Sequence, residues 1–132
     1  DGLDQGIRYA IGGGPRLLRA GRMHITAEEE RFRSDIRFGR APRSAIGLTD
    51  DGKVLLVTVS GRQPGVSIGV TLQELAEILL ELGAVEAMNL DGGGSSTLVV
   101  GGRVINLPSG GTERPVGNGL VVLPPAATPG GD

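Results

Sequence analysis

The chain has 132 residues, with 13 Lys and Arg against 15 Asp and Glu, one histidine and no cysteine, which allows one domain with a modest core. A lone His24 argues against a multi-histidine metal centre or a Ser-His-Asp triad, and without cysteine there is neither a disulfide framework nor thiolate chemistry. The formal charge of -2 carries no polybasic tract, so nucleic acid and membrane surfaces are not expected partners, and no apolar run is long enough to span a bilayer.

Twenty-four glycines without a collagen-like period read as tight turns between short strands, and the core must be aliphatic because Tyr9, Phe32 and Phe38 are the only aromatics. Gly6 to Ile11 reads as a short strand, Gly12-Gly13-Gly14-Pro15 as a turn, and Arg16 to Arg19 as the next strand, closed by a turn at Ala20-Gly21-Arg22. Thr26 to Arg43 is the most polar part. Thr26 is placed to cap a short helix with Glu28, Glu29 and Glu30 in its first turn. The acids and arginines that follow predict a solvated helix or loop with internal ion pairs.

Ser44 to Thr49, the turn Asp50-Asp51-Gly52 and Lys53 to Ser60 predict a hairpin. Val54, Leu56 and Thr58 share one face of its return strand and Leu55, Val57 and Val59 the other, which predicts a central position in the sheet. Arg62 lies in a loop, Gly61 to Gly65, just past the strand end. The main helix is predicted at Thr71 to Leu82. Thr71 is its N-cap, Glu74 completes a capping box, and Gly83 supplies the stop. Leu72, Leu75, Ala76, Leu79 and Leu82 form a core-facing stripe, with Glu74, Glu77 and Glu81 on the wet face.

The helix leads through the apolar run Val85 to Leu90 into Asn89-Leu90-Asp91-Gly92-Gly93-Gly94-Ser95-Ser96-Thr97, the stretch the chain is organised around. Asn89 and Asp91 alternate with Met88 and Leu90, so both should face one side of the turn. The glycine amides can form a concave nest for anionic oxygen. Ser95 to Val100 and Arg103 to Leu107 then read as a second hairpin around Gly101-Gly102, followed by a polar loop in which Glu113 adjoins Arg114. Asn118 precedes a last strand, Gly119 to Leu123, and the Pro/Gly-rich tail from Pro124 to Asp132 reads as disordered. The fold class is α+β, a mixed, largely antiparallel sheet of short strands packed on one main helix at about 71–82.

Several fragments occur in an ordered set: Ala10-Ile11-Gly12-Gly13-Gly14-Pro15, Arg43-Ser44-Ala45-Ile46-Gly47, Thr71-Leu72 with Glu74-Leu75-Ala76, Leu82-Gly83-Ala84, Asn89 to Thr97, and Glu113-Arg114-Pro115-Val116 with Asn118. Together they resemble the phosphodiester glycosidase domain family, to which the lysosomal uncovering enzyme and bacterial exopolysaccharide-related proteins belong. The resemblance spans nearly everything except the tail and residues 26–40. Two positions depart from the family pattern: Ser44 stands where threonine is common, keeping a hydroxyl, and Gly117 where serine is usual, losing one.

The resemblance implies hydrolysis of a sugar-1-phosphodiester at the glycosidic bond, in an extracytoplasmic bacterial setting. The domain would run over 1–123, as a whole or as the C-terminal part of the family domain, with a missing N-terminal segment or a second chain completing the sheet. Asp91 and Glu113 would be the carboxylate pair flanking an oxocarbenium-like transition state, with the acid and base roles open. Arg43, Arg62 and Arg114 would fork onto phosphate oxygens, aided by Gly92, Gly93, Gly94, Ser95 and Ser96. Asn89 and Asn118 would recognise sugar hydroxyls or an N-acetyl group. No cofactor or metal is expected. The competing reading is a non-catalytic carbohydrate- or anion-binding or structural module of a cell-envelope protein, against which the lack of stacking aromatics weighs.

Overall fold

In the computed structural model, which describes residues 6–127, the fold grows from the hairpin of Arg43–Thr49 (β3) and Val54–Val59 (β4). Its β-branched and aliphatic residues favour extended backbone. The register sets Ala45 opposite Val57 and Ile46 opposite Leu56. Ala84–Asn89 (β5) pairs with the free side of β3, and Arg16–Arg19 (β1) pairs with β5. Arg22–Met23 (β2) closes the row. The sheet order is β2-β1-β5-β3-β4, with every pair antiparallel. Val99–Val100 (β6) and Arg103–Val104 (β7) form a separate two-stranded sheet. The α+β expectation holds.

One main helix, Leu72–Glu81 (α2), follows from local chemistry. The Thr71 hydroxyl accepts from the Glu74 N–H, and the Glu74 carboxylate accepts from the Thr71 N–H, so two amides that the first turn would leave unpaired are satisfied. Leu72, Leu75, Ala76 and Leu79 recur at helical spacing and are buried against the sheet with Leu17, Leu18, Ala45 and Ala87. Each fully enclosed leucine contributes about 1.5–3 kcal/mol. Gly47 lets the helix lie close, since a Cβ there would be 3.2 Å from Leu79 and 3.1 Å from Ala84. Leu82 departs from the expected stripe: it is 52% exposed, because it is the C-cap residue and the chain turns away at Gly83.

Other expectations fail for identifiable reasons. Among the described residues β4 is an edge strand, not a central one. Its inner residues Leu55, Val57 and Val59 pack on the core, while Val54 on the outer face is 57% exposed. Apolar residues on two faces report what covers a strand above and below, not which neighbours it pairs with. Gly6 to Ile11 and Gly119 to Leu123 form no strand, and Val121, Val122 and Leu123 are all more than 70% exposed. Strand propensity without a hydrogen-bonded neighbour builds no ladder.

The first glycine triplet forms neither turn nor strand, and its end continues the pairing of β1 with β5. Gly14 N–H donates to the Asn89 carbonyl (2.7 Å), and Asn89 N–H to the Pro15 carbonyl (3.0 Å). Thr26 opens no helix: its hydroxyl accepts from the Arg16 N–H (3.1 Å), and its carbonyl accepts from the Glu30 N–H (2.9 Å) in a single turn over 27–31. The short helix comes later, at Ser34–Phe38 (α1). The internal ion pairs expected there are present as Arg37–Glu28 (3.0 Å) and Arg33–Asp35 (2.9 Å). The second hairpin is shorter than expected, two residues a side. Residues 124–127 are exposed and irregular, and the rest of the expected tail, 128–132, lies outside the described residues. No helix among the described residues is long and apolar enough to cross a membrane.

Glu74 also takes a forked ion pair from Arg40, with Nη1 to Oε2 at 2.7 Å. The Thr71 amide first, and the Arg40 guanidinium second, hold its carboxyl below the ordinary value. A depressed folded-state pKa means that this stabilisation is complete above the ordinary carboxylate range and is lost as pH falls through the lower folded value. Glu74→Gln keeps a capping acceptor but removes the charge. Its thermal midpoint should fall near neutral pH and decline less steeply than the parent's as acid is added. Parallel acid limbs for the two proteins would contradict this.

Candidate functional site

The end of β5 is locked between two other backbone segments. Leu90 N–H donates to the Ser44 carbonyl (2.8 Å), and Gly93 N–H to the Pro42 carbonyl (2.9 Å). A Cβ at Gly92 would lie 2.8 Å from that same Pro42 oxygen, so only glycine lets the bend settle there. Gly93, at φ +59°, then starts a short 3₁₀ turn, Gly93–Ser95. The expected nest of successive amides is thereby broken, since Gly93 N–H is used on Pro42.

Two guanidinium groups, those of Arg62 and Arg114, lie against this bend, and a third, that of Arg43, is buried in the wall of the cavity it shares with Arg62. Arg43, only 4% exposed, donates Nε to the Val70 carbonyl (3.1 Å) and Nη2 to the carbonyls of Ile36 (3.1 Å) and Gly39 (2.7 Å). It staples the loops to β3. Burial first, then the cation of Arg62, lower its pKa from the ordinary value. Arg62 holds a left-handed backbone (φ +56°) that a non-glycine residue rarely adopts. Its guanidinium lies over the bend, 3.2 Å from where a Gly93 Cβ would be. Arg114 sits likewise over Gly94, at 3.3 Å, and donates to the Ser95 hydroxyl (2.6 Å). The ion pairs among the described residues are Arg33–Asp35, Arg37–Glu28, Arg40–Glu74 and Lys53–Asp51. None of them involves Arg43, Arg62 or Arg114, so these three cations are left without a carboxylate among the described residues.

Two cavities open beside the bend. The larger, about 730 Å³, is lined by Gly12 to Gly14, Arg40, Arg43, Arg62, Asn89 and Asp91 to Gly93, with Phe32, Asp35 and Gly39 opposite. The smaller, about 360 Å³, lies between the outer face of β3 and β4 and the segment 116–120, and reaches Asp91, Ser95 and Asn118. Asp91 is exposed and lines both.

The sequence candidates therefore divide. Arg43, Arg62, Asn89, Asp91, Gly92 and Gly93 meet in the larger cavity, and Asp91, Ser95 and Asn118 in the smaller. Asn89 is buried, unlike Asp91. Its Nδ2 donates to the Gly14 carbonyl (2.9 Å) while its Oδ1 has no partner, so its visible contact is structural. Ser96 is enclosed, with its hydroxyl 3.1 Å from that of Ser44, and lines neither cavity. Gly94 lies beneath Arg114. Glu113 is exposed and lines neither cavity. The sequence reading missed Gly12 to Gly14, Asp35 and Arg40 as cavity wall. The only signal was a second glycine triplet, and its meaning rests on contacts with Asn89 far along the chain. Asp35 and Arg40 were hidden in a segment whose charges also serve local ion pairs.

The bend's sterics can be tested. Gly92→Ala should cost about 1–3 kcal/mol, the usual range for overpacking against something that cannot move away. Gly117→Ala, with nothing within 4 Å of the added Cβ, should be neutral or slightly stabilising. Equal denaturation midpoints for the two variants would contradict the close approach to Pro42.

The phosphodiester glycosidase family matches residues 1–123. The chain is 42% identical over 84 residues to the SPbeta prophage-derived uncharacterized protein YomE of Bacillus subtilis, covering 64% of this chain and 13% of that protein. It is 36% identical over 102 residues to N-acetylglucosamine-1-phosphodiester alpha-N-acetylglucosaminidase of Bos taurus, covering 70% of this chain and 19% of that protein. Among solved structures, a hypothetical protein from Synechocystis superposes with a TM-score of 0.65 at 44% identity, over 73% of this chain and 18% of that one. The catalytic domain of the zebrafish N-acetylglucosamine-1-phosphodiester alpha-N-acetylglucosaminidase, auto-inhibited by its pro-peptide, gives 0.62 at 35% identity, over 75% of this chain and 34% of that one. The chain thus spans less than a fifth of the two curated relatives. The family match over residues 1–123, nearly the whole length, makes this chain a member of the phosphodiester glycosidase family.

Proposed function

We propose that the bend and its cavities form the cleft of a hydrolase that cleaves the glycosidic bond of a sugar-1-phosphodiester resembling N-acetylglucosamine-1-phosphodiester. Free sugar leaves and a phosphomonoester remains. Family membership supports the reaction class, and the reaction named for the bovine relative supports the substrate. The observation that carries the reading is the pair of guanidinium groups, Arg62 and Arg114, set against Gly93 and Gly94, with Arg43 buried in the wall of the larger cavity, none of the three having a carboxylate partner among the described residues. Cations in such a position stabilise an anionic group, and most strongly one whose charge grows during the reaction.

In the net reaction proposed, a water oxygen replaces the phosphate oxygen on the anomeric carbon, either directly or after a carboxylate has first displaced the phosphate and is itself displaced by water. The electron pair stays on phosphate and the water proton passes to a carboxylate. Phosphate is a far weaker base than a sugar alkoxide, so charge stabilisation matters more than acid assistance. Arg62 and Arg114 supply it beside the bend, and the buried Arg43 adds its charge from the wall of the larger cavity. Asp91, exposed where the cavities meet, is the base or nucleophile. Glu113, next to Arg114, is the second carboxylate. A carboxyl separation of about 5 Å in the occupied cleft would give retention, and about 6.5–9.5 Å inversion. We read the setting as extracytoplasmic from the family resemblance.

A second reading, an anion- or carbohydrate-binding module without turnover, is favoured by one observation: Glu113 lines neither cavity. Sugar release from UDP-N-acetylglucosamine by the purified protein separates the two. The hydrolase reading expects release, lowered about 10²-fold or more in kcat by Asp91→Asn with folding intact. Arg62→Ala should cost roughly 10²-fold in kcat/KM through lost charge stabilisation. Binding without release, unaffected by Asp91→Asn, would establish the module instead.

A further inference from the structure

We infer that the two cavities are two subsites of different chemistry: the smaller takes an uncharged monosaccharide, the larger takes phosphate and what is attached to it, and Asp91 marks the boundary. The inference rests on the proposed function for its substrate, but its own support is the composition of the walls. Gly12, Leu90 and Asp91 line both cavities, so these are two lobes of one cleft rather than unrelated hollows.

The larger lobe holds Arg40, Arg43 and Arg62 against two carboxylates, Asp35 and Asp91. The smaller lobe contains no Arg, Lys or His, and Asp91 is its one charged residue. A phosphate placed there would lose its hydration beside a carboxylate, with no cation in the wall itself and Arg114 only behind the Ser95 hydroxyl (2.6 Å). What the smaller lobe offers is hydroxyls from Ser44, Thr58, Ser95 and Thr97 and the amide of Asn118, set beside the aliphatic side chains of Leu56, Leu90 and Val116. Hydroxyls and an amide suit ring hydroxyls, and the aliphatic wall suits C–H faces and an acetamido methyl. At about 360 Å³ it lies at the lower end of the usual range for small-molecule sites, about 300–1,000 Å³, in keeping with one monosaccharide. A substrate threaded from lobe to lobe brings its anomeric carbon past Asp91, with the phosphate among the arginines.

The test is amide chemical-shift mapping of the labelled full chain with two separate probes, free N-acetylglucosamine and inorganic phosphate. The sugar should perturb Ser44, Thr58, Thr97 and Asn118, and phosphate should perturb Arg62, Gly92 and Gly93. Thr58→Val, which removes a hydroxyl without opening a hole, should weaken the sugar roughly three- to tenfold, the loss of one hydrogen bond, and leave phosphate binding unchanged. Sugar shifts confined to the arginine lobe, overlapping maps for the two probes, or no sugar shifts up to saturating concentrations would each overturn the assignment. Two separate maps from a protein that hydrolyses no diester would leave the subsites standing and overturn the hydrolase reading instead.

Discussion

Everything at the site depends on three stretches of backbone meeting where a side chain has no room. The end of β5 is pinned by Ser44 and Pro42 on one side and by Gly14 and Pro15 on the other. A Cβ at Gly92 would press on the Pro42 oxygen, and one at Gly13 would lie 2.9 Å from the Asn89 oxygen. These contacts fix the bend before any ligand arrives, so its preorganisation is a consequence of sheet pairing. A site built this way spends little ordering free energy on binding.

Charge follows from that geometry. Most cations of this chain that touch acids do so within a few residues or across α1 and α2, as Arg33, Arg37, Arg40 and Lys53 do. Arg43 is instead drawn into the fold, where three backbone carbonyls stand in for a counterion. Arg62 raises the local potential further, since its charge disfavours that of Arg43. A cationic centre held together by neutral acceptors is an arrangement that an incoming anion relieves.

How much of this the sequence reveals depends on the range of the interaction. The helix at 72–81 is legible because its cap, its stripe and its stop lie within one short stretch. The β3–β4 hairpin is legible for the same reason, and the bend for its apolar flanks and glycines. Edge position is not legible, because β4 shows the same apolar residues whether or not another strand lies beside it. Ile7 and Leu123 belong to strand-like segments that find no partner among the described residues. Arg62 and Arg114 could be nominated from spacing and resemblance. The fork of Arg43 could not be assigned, because its carbonyl partners at 36, 39 and 70 carry no signature in their side chains. Asn89 and Asp91 alternate as strand residues should, yet β5 ends at Asn89, so one is buried and the other exposed.

The central claim is that the bend gathers cations for a phosphorylated sugar. A crystal structure with an uncleaved sugar-1-phosphodiester, captured in the Asp91→Asn protein, tests it most directly. The account predicts phosphorus beside Arg62 and Gly93 and the anomeric carbon beside residue 91. Phosphate held anywhere away from the Gly92 to Gly94 bend would contradict it.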